Sequence, residues 1–193
     1  MKTLNISTPL HANYVTLVDD DDWEWLSQWK WSVCKGARNT YASRGLVVNG
    51  KQTTIRMHVQ ILGRGDGSID HIDRNGLNNQ RCNLRRCSRT ENTWNASKHQ
   101  QATSRFKGVV RVADDRWTAY IKENNHRVNL GIYQTEELAA AAYNLAARKK
   151  RGIFAVMNDV EWRGAGDIDA NRLKRGVMQR SIAISERLFS FEE

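Results

Sequence analysis

The sequence predicts an α+β protein built as two small units, on three observations. Short alternating apolar runs with hairpin signals fill residues 11–56, and a stretch with no large apolar side chain, "ASKHQQATS", covers residues 96–104. Beyond it, three strand-like runs lead into one alanine-rich helix. With 193 residues and 40% hydrophobic content, two modest cores are within reach.

In the first unit, "NYVTLV" alternates and runs into Asp19 to Asp22, which suit the start of a helix carrying "WEWLSQW". The runs "KWSV" and "TYASRGLVV" are strands, and Asn49-Gly50 is a hairpin signal before "KQTTIRM". The four tryptophans within residues 23–31 fit the core of this small meander better than a base-stacking surface. After residue 98 comes a linker, 99–104. In the second unit, "FKGVVRV", "RWTAYIKE" and "HRVNLGIY" are strands. Thr135 then caps a helix with Glu136 and Glu137 in its first turn, and Gly152 ends it beyond Arg148 to Arg151. The small side chains of Ala139, Ala142 and Ala146 would let this helix lie close on the sheet. The tail, 159–193, carries a helix near 170–189 and is otherwise unassigned.

The net charge of +9 is concentrated in the middle of the chain. Residues 51–103 hold nine lysines and arginines against four acidic residues, and residues 104–151 hold ten against five. That placement favours a polyanion as partner. A mean hydropathy of −0.66 and the lack of a long apolar run exclude a membrane protein, and the amino terminus lacks a signal-peptide core, so a cytoplasmic location is expected. Cys34, Cys82 and Cys87 form an odd set with no CxxC pair, which implies reduced thiols. Those three with His99 as a structural zinc site are a weaker alternative.

The chemistry concentrates in "DHIDRNGLNNQRCNLRRCSRTEN", residues 70–92. "SIDHIDRNG" is a short strand into an Asn75-Gly76 turn, "NLRRC" is a second strand, and Ser88 with Glu91 forms a capping box that opens a helix. A hairpin crossed by that helix brings Asp70, His71 and Asn92 together. "MHVQILG", "DHIDRNGLNNQRCNLR" and "TEN" resemble the HNH homing endonucleases, in the variant where asparagine replaces the last histidine; the likeness spans about residues 13–98. The resemblance implies a ββα-metal module at about 67–98 within a nuclease domain of residues 1–98. It implies that Asp70 and Asn92 hold one divalent metal, magnesium or manganese, and that His71 is the general base. It also implies that Asn83 fixes the imidazole by a hydrogen bond. A hard cation prefers such oxygen ligands, and a histidine near its ordinary value can take a proton from water at neutral pH. Arg85 and Arg86 fit phosphate clamps and plain surface charge equally well. His58 has a supporting role at the phosphate as one reading and a packed helix histidine as the other.

"FKGVV", "RWTAYI", "NLGIY", "EELAAAAYNLAA" and the closing Gly152, Ala155, Met157 and Asn158 resemble the plant ethylene-response-factor (APETALA-type) DNA-binding domain, over residues 105–158. In that family a three-stranded sheet lies in the major groove and the helix packs behind it. Alternation here turns Trp117, Ala119, Ile121, Val128 and Leu130 inward. It turns Arg116, Thr118, Tyr120, Lys122, Arg127 and Asn129 outward, with Lys107 added to that face. Lys107 and Val110 stand where the family has arginines, and Asn129 where it has tryptophan, so base preference does not carry over. The run "RKKR" is a helix end rather than a nuclear signal.

Together with the two resemblances these features predict a metal-dependent, site-specific DNA endonuclease that nicks duplex DNA as a monomer, with a dimer as the alternative assembly. The alternative is a non-catalytic DNA-binding regulator on a degenerate nuclease fold. An RNA partner is disfavoured because the sheet face lacks an aromatic stacking platform.

Overall fold

A computed structural model describes residues 1–36, 39–96, 103–124, 126–161, 164, 166 and 168. The chain divides into two compact units, Met1–Asn95 and Ala96–Glu193. Most of the expected linker, His99 and the helix expected near 170–189 lie outside the described residues. Among the described residues no helix is long and apolar enough to cross a membrane.

The first unit begins with an antiparallel pair, β1 (Lys2–Asn5) and β2 (Val15–Val18), followed by helix α1 (Asp20–Leu26). A meander of β3 (Ser32–Lys35), β4 (Thr40–Val48) and β5 (Lys51–Arg56) comes next, its last hairpin turned by Asn49 and Gly50 at φ 51 and 74. Helix α2 (Met57–Leu62) leads to a second antiparallel pair, β6 (Ser68–His71) and β7 (Leu84–Cys87), and helix α3 (Arg89–Trp94) closes the unit. Ile6, Val18, Leu26, Trp31, Met57 and Leu84 are the centre of its core.

Helix α1 is shorter than the pattern "WEWLSQW" predicts. It stops at Leu26 because the buried Trp31 indole N–H donates to the Leu26 carbonyl at 2.9 Å, meeting an acceptor that another helical turn would have used. Trp29 therefore lies beyond the helix and meets Trp25 edge-on, with ring centroids 5.7 Å apart. Arg44 stacks on Trp29, 4.4 Å from the ring centre. The tryptophans serve packing, as expected.

The acidic run does more than charge a helix end. Asp19 accepts from the Arg81 backbone N–H at 2.8 Å and from Gln80 at 3.2 Å. Asp22, 2% exposed, accepts from Arg81 Nε and Nη2 at 2.8 and 2.7 Å. These bonds tie α1 to the loop between β6 and β7. Along that loop Arg74, rather than the expected Asn75-Gly76 pair, takes the left-handed conformation, at φ 65. Gly76 serves close approach instead: a Cβ there would fall 2.4 Å from the Thr40 carbonyl oxygen and 2.6 Å from the Tyr41 ring.

The second unit is a sheet of β8 (Val109–Ala113), β9 (Arg116–Glu123) and β10 (His126–Tyr133), order β10-β9-β8, all antiparallel, with helix α4 (Glu136–Arg151) against it. Thr135 Oγ1 accepts from the Leu138 N–H at 3.2 Å, and Gly152 ends the helix at φ 52. Ala139, Ala142 and Ala146 are buried against Val109, Ala119, Ile121 and Leu130, as their size implied. Asn158 closes the unit: its side chain exchanges bonds with the Lys107 backbone at 2.7 and 3.0 Å, and its backbone with Asn144 at 2.7 and 2.9 Å. Cys34, Cys82 and Cys87 are free, and burial pushes the Cys87 thiol up.

Candidate active site and nucleic-acid interface

The register of β6 and β7 sets Asp70 opposite Arg85 and His71 opposite Leu84. At the end of β7 the expected capping box is present. Ser88 Oγ accepts from the Glu91 N–H at 3.1 Å, and the Glu91 carboxylate accepts from the Ser88 N–H at 2.7 Å, which holds that carboxyl below its usual range. Helix α3 is thereby anchored with Asn92 in its last turn and Asn95 just past its end, three residues apart and so on one face.

Asp70 and His71 are both buried, at 6% and 4% exposure. Asn95 Nδ2 donates to both Asp70 carboxylate oxygens at 2.9 Å and to the His71 carbonyl at 2.8 Å. Arg85 Nε and Nη2 both donate to Asp70 Oδ2, at 2.9 and 2.7 Å. Asn92 is half-buried, and among the described residues its side chain makes no hydrogen bond. The helix asparagine that locks onto the carboxylate is thus Asn95.

The imidazole partner also differs from the expected one. His71 Nε2 lies 3.3 Å from Asn79 Oδ1. Asn83 braces the loop instead: Nδ2 donates to Asp73 Oδ1 at 2.9 Å and to the Asn78 carbonyl at 2.8 Å, and Oδ1 accepts from the Asp73 N–H at 3.0 Å. Burial of the Asp73 carboxyl is outweighed by bonds from Asn75, Asn78 and Asn83, which leave its pKa below the ordinary value. Asn83 therefore shapes the loop, and Asn79, fully buried, faces the ring.

His58 and Tyr41 complete the pocket around His71. The His58 ring meets the His71 ring edge-on at 4.9 Å, and Tyr41 lies 5.9 Å from His71 and 5.6 Å from His58. Burial, with His71 and Arg56 nearby, pushes the His58 pKa down to about 3. Burial also lowers that of His71, against the Asn79 bond and the Asp73 and Asp70 charges. Both rings are neutral at pH 7 on that account. His58 is 5% exposed with its Nδ1 unpartnered, which matches the packed-histidine reading more closely than a phosphate contact. Arg86 Nη2 donates to the Leu62 and Gly63 carbonyls, so it and Arg85 are both engaged within the unit. Arg56 is exposed with its guanidinium 4.5 Å over the Tyr41 ring, a cation the sequence pattern did not single out.

On the second unit, pairing of Arg127 with Lys122 and of Asn129 with Tyr120 puts these four residues on one face of the sheet. Thr118 and Arg116 share that face by alternation along β9. Arg116, Lys122, Arg127 and Asn129 are exposed, and Arg127 lies 4.6 Å over the Tyr120 ring. Asn129 Oδ1 accepts from Thr118 Oγ1 at 3.2 Å and from the Gly131 N–H at 2.8 Å, at a bulge that re-aims the strand. Lys107 is half-buried, with its ammonium donating to the Ala96 carbonyl at 2.6 Å.

Among curated proteins, the chain is 32% identical over 146 residues to an uncharacterized HNH endonuclease of Acanthamoeba polyphaga mimivirus, an alignment covering 74% of this chain and 73% of that protein. Another likeness, 41% over 69 residues, is to an AP2/ERF and B3 domain-containing transcription repressor of Arabidopsis thaliana, covering 36% of this chain and 19% of that protein. A third, 48% over 58 residues, is to an AP2/ERF and B3 domain-containing protein of Oryza sativa subsp. japonica, covering 30% of this chain and 16% of that protein. No family model matches the chain.

Proposed function

The chain belongs to the HNH endonuclease family, and from that premise we propose that it is a divalent-metal-dependent enzyme that hydrolyses phosphodiester bonds of duplex DNA. The observation that carries the reading is the buried Asp70-His71 pair at the end of β6, a carboxylate next to an imidazole whose pKa burial lowers.

His71 takes a proton from the water that attacks the phosphorus, a role that needs a neutral, oriented imidazole. Asp70 Oδ2 accepts from Arg85 and Asn95, while among the described residues Oδ1 accepts from Asn95 alone, which leaves it acceptor capacity for a cation. That oxygen and the Asn92 amide oxygen fit a hard cation such as magnesium or manganese. When bound there, the metal supplies neutralisation of charge at the phosphate and the leaving 3′ oxygen. Arg85 positions the Asp70 carboxylate by its paired donors. Arg56, stacked on Tyr41 beside His71, meets a phosphate oxygen of the substrate. Asn83 and Asp73 keep the loop shaped so that these side chains stay in place.

The second unit supplies the DNA-holding surface. Arg116, Lys122 and Arg127 contact phosphates, and Thr118, Tyr120 and Asn129 lie among them as candidates for base-edge contacts. The likeness to AP2/ERF proteins supports this assignment. One such site attacks one strand at a time, so the monomer acts as a nickase.

The test is conversion of supercoiled plasmid by the purified chain, with magnesium and with a chelator. Nicked circles that form only with the metal support the proposal. Retained binding with no cleavage under any divalent cation would instead leave a non-catalytic DNA-binding protein.

A further inference from the structure

Behind His71 runs a chain of buried polar groups that reaches back to the second strand of the protein. Asn79 Oδ1 faces His71 Nε2 at 3.3 Å, Asn79 Nδ2 faces Thr16 Oγ1 at 2.8 Å, and Thr16 Oγ1 faces the Leu77 carbonyl at 2.7 Å. Thr16 and Asn79 are both at 0% exposure, so bulk solvent does not reach these atoms.

Each proton in the chain has one consistent position. The Leu77 carbonyl accepts and cannot donate, so the threonine hydroxyl spends its only proton there; Met57 Sδ, at 3.9 Å, is also only an acceptor. Thr16 Oγ1 therefore turns a lone pair to Asn79, which must answer with its amide N–H. That leaves the Asn79 oxygen toward the imidazole, and an oxygen there requires a proton on Nε2. The reverse order would set Thr16 Oγ1 against the Leu77 oxygen at 2.7 Å with no proton between them. It would also turn the Asn79 oxygen toward the Gly76 carbonyl, 3.4 Å from the amide nitrogen now in that place. Both changes are repulsive.

We propose that Thr16 and Asn79 are positioning residues that fix His71 as the Nε2–H tautomer, leaving Nδ1 as the basic nitrogen. The catalytic half of this statement rests on the nuclease reading above: Nδ1 takes the proton from the attacking water. Asn79 is held in register independently of its side chain, because its N–H donates to the Leu17 carbonyl of β2 at 2.8 Å. The tautomer of the general base is thus set by a strand 63 residues upstream of Asn79.

The test uses the full chain, labelled with nitrogen-15, and two-bond proton–nitrogen spectra of its histidine rings at neutral pH. Wild type should show His71, identified by its loss in His71→Ala, as a single Nε2–H form. Thr16→Val should give a mixture, because only the more distant Gly76 carbonyl, 3.4 Å from Asn79 Nδ2, then still orders the Asn79 amide. The Leu77 carbonyl still accepts from the Leu17 N–H at 2.8 Å in that variant, so no buried acceptor is orphaned. Thr16→Ala serves the same purpose should valine not be accommodated, and Thr16→Ser should restore the single form. In cleavage assays, Thr16→Val should lower kcat about two-fold or more with KM for DNA unchanged, and Asn79→Ala about ten-fold or more. A wild-type Nδ1–H form, or a tautomer indifferent to the loss of the Thr16 hydroxyl, would overturn the proposal. The expected spectra without cleavage by any of these proteins would uphold the tautomer assignment and refute the nuclease reading.

Discussion

Replacing His58 by phenylalanine is expected to remove a pH dependence from the stability of the first unit. Burial, with His71 and Arg56 beside it, moves the His58 pKa from 6.5 to about 3, and its Nδ1 has no partner that would reward a charge. Unfolding releases the ring to water, where it binds a proton near its ordinary value. The unfolded state therefore binds more protons than the folded one between pH 6.5 and about 3, and stability rises with pH across that window. The contribution is whole above the unfolded value and is lost progressively as pH falls. At pH 5, roughly one and a half units below the unfolded value and at about 1.4 kcal/mol per unit, the loss is about 2 kcal/mol. Five of the seven tryptophans lie in residues 1–95, so urea unfolding followed by tryptophan fluorescence reports chiefly on this unit. His71 is also held below its ordinary value and adds to the wild-type dependence; the comparison between the two proteins reports His58 together with its coupling to His71. The wild type should lose about 2 kcal/mol more than His58→Phe between about pH 7.5 and about pH 5. An equal loss in both proteins would refute the argument that a neutral, buried His58 is built into the fold.

Three other changes follow from the contacts. Gly76→Ala forces a methyl group within 2.4 Å of the Thr40 oxygen and 2.6 Å of the Tyr41 ring, and should cost about 1–3 kcal/mol in urea unfolding. Asp22→Ala leaves Arg81 and the Trp25 indole without their buried acceptor, and should destabilise the first unit by about 1–3 kcal/mol while lowering cleavage through the loop that carries Asn79. Lys122→Ala with Arg127→Ala should make the slope of log affinity against log salt shallower by about two, near 0.9 per lost phosphate contact, in a binding titration; an unchanged slope would remove this face as the docking surface.

What the sequence made legible were features whose causes are local. The capping box at Ser88 and Glu91, the Asn49-Gly50 hairpin, the Thr135 cap and the alternation along β9 each depend on residues within a few positions of one another. Asp70 and His71 were legible for the same reason, being adjacent on one short strand. The asparagine partners were harder. "NGLNNQRCN" offers four asparagines of identical chemistry, and which one faces the imidazole is decided by Thr16, far upstream. Asn95 could have been suspected from its i, i+3 spacing to Asn92 on a capped helix. The end of α1 was not legible because it depends on the Trp31 indole folding back on the Leu26 carbonyl. Arg85 and Arg86 looked alike in sequence, yet alternation turns one to Asp70 and the other to the carbonyls at the end of α2.

The central claim is that His71 removes a proton during phosphodiester hydrolysis and contributes little to holding DNA. The most direct measurement compares wild type and His71→Ala in parallel, reading cleavage of an end-labelled duplex with magnesium and binding to the same duplex with the metal withheld. Cleavage should fall by about 100-fold or more, the scale of a lost general base, with affinity changed less than about two-fold. Undiminished cleavage by His71→Ala would contradict it.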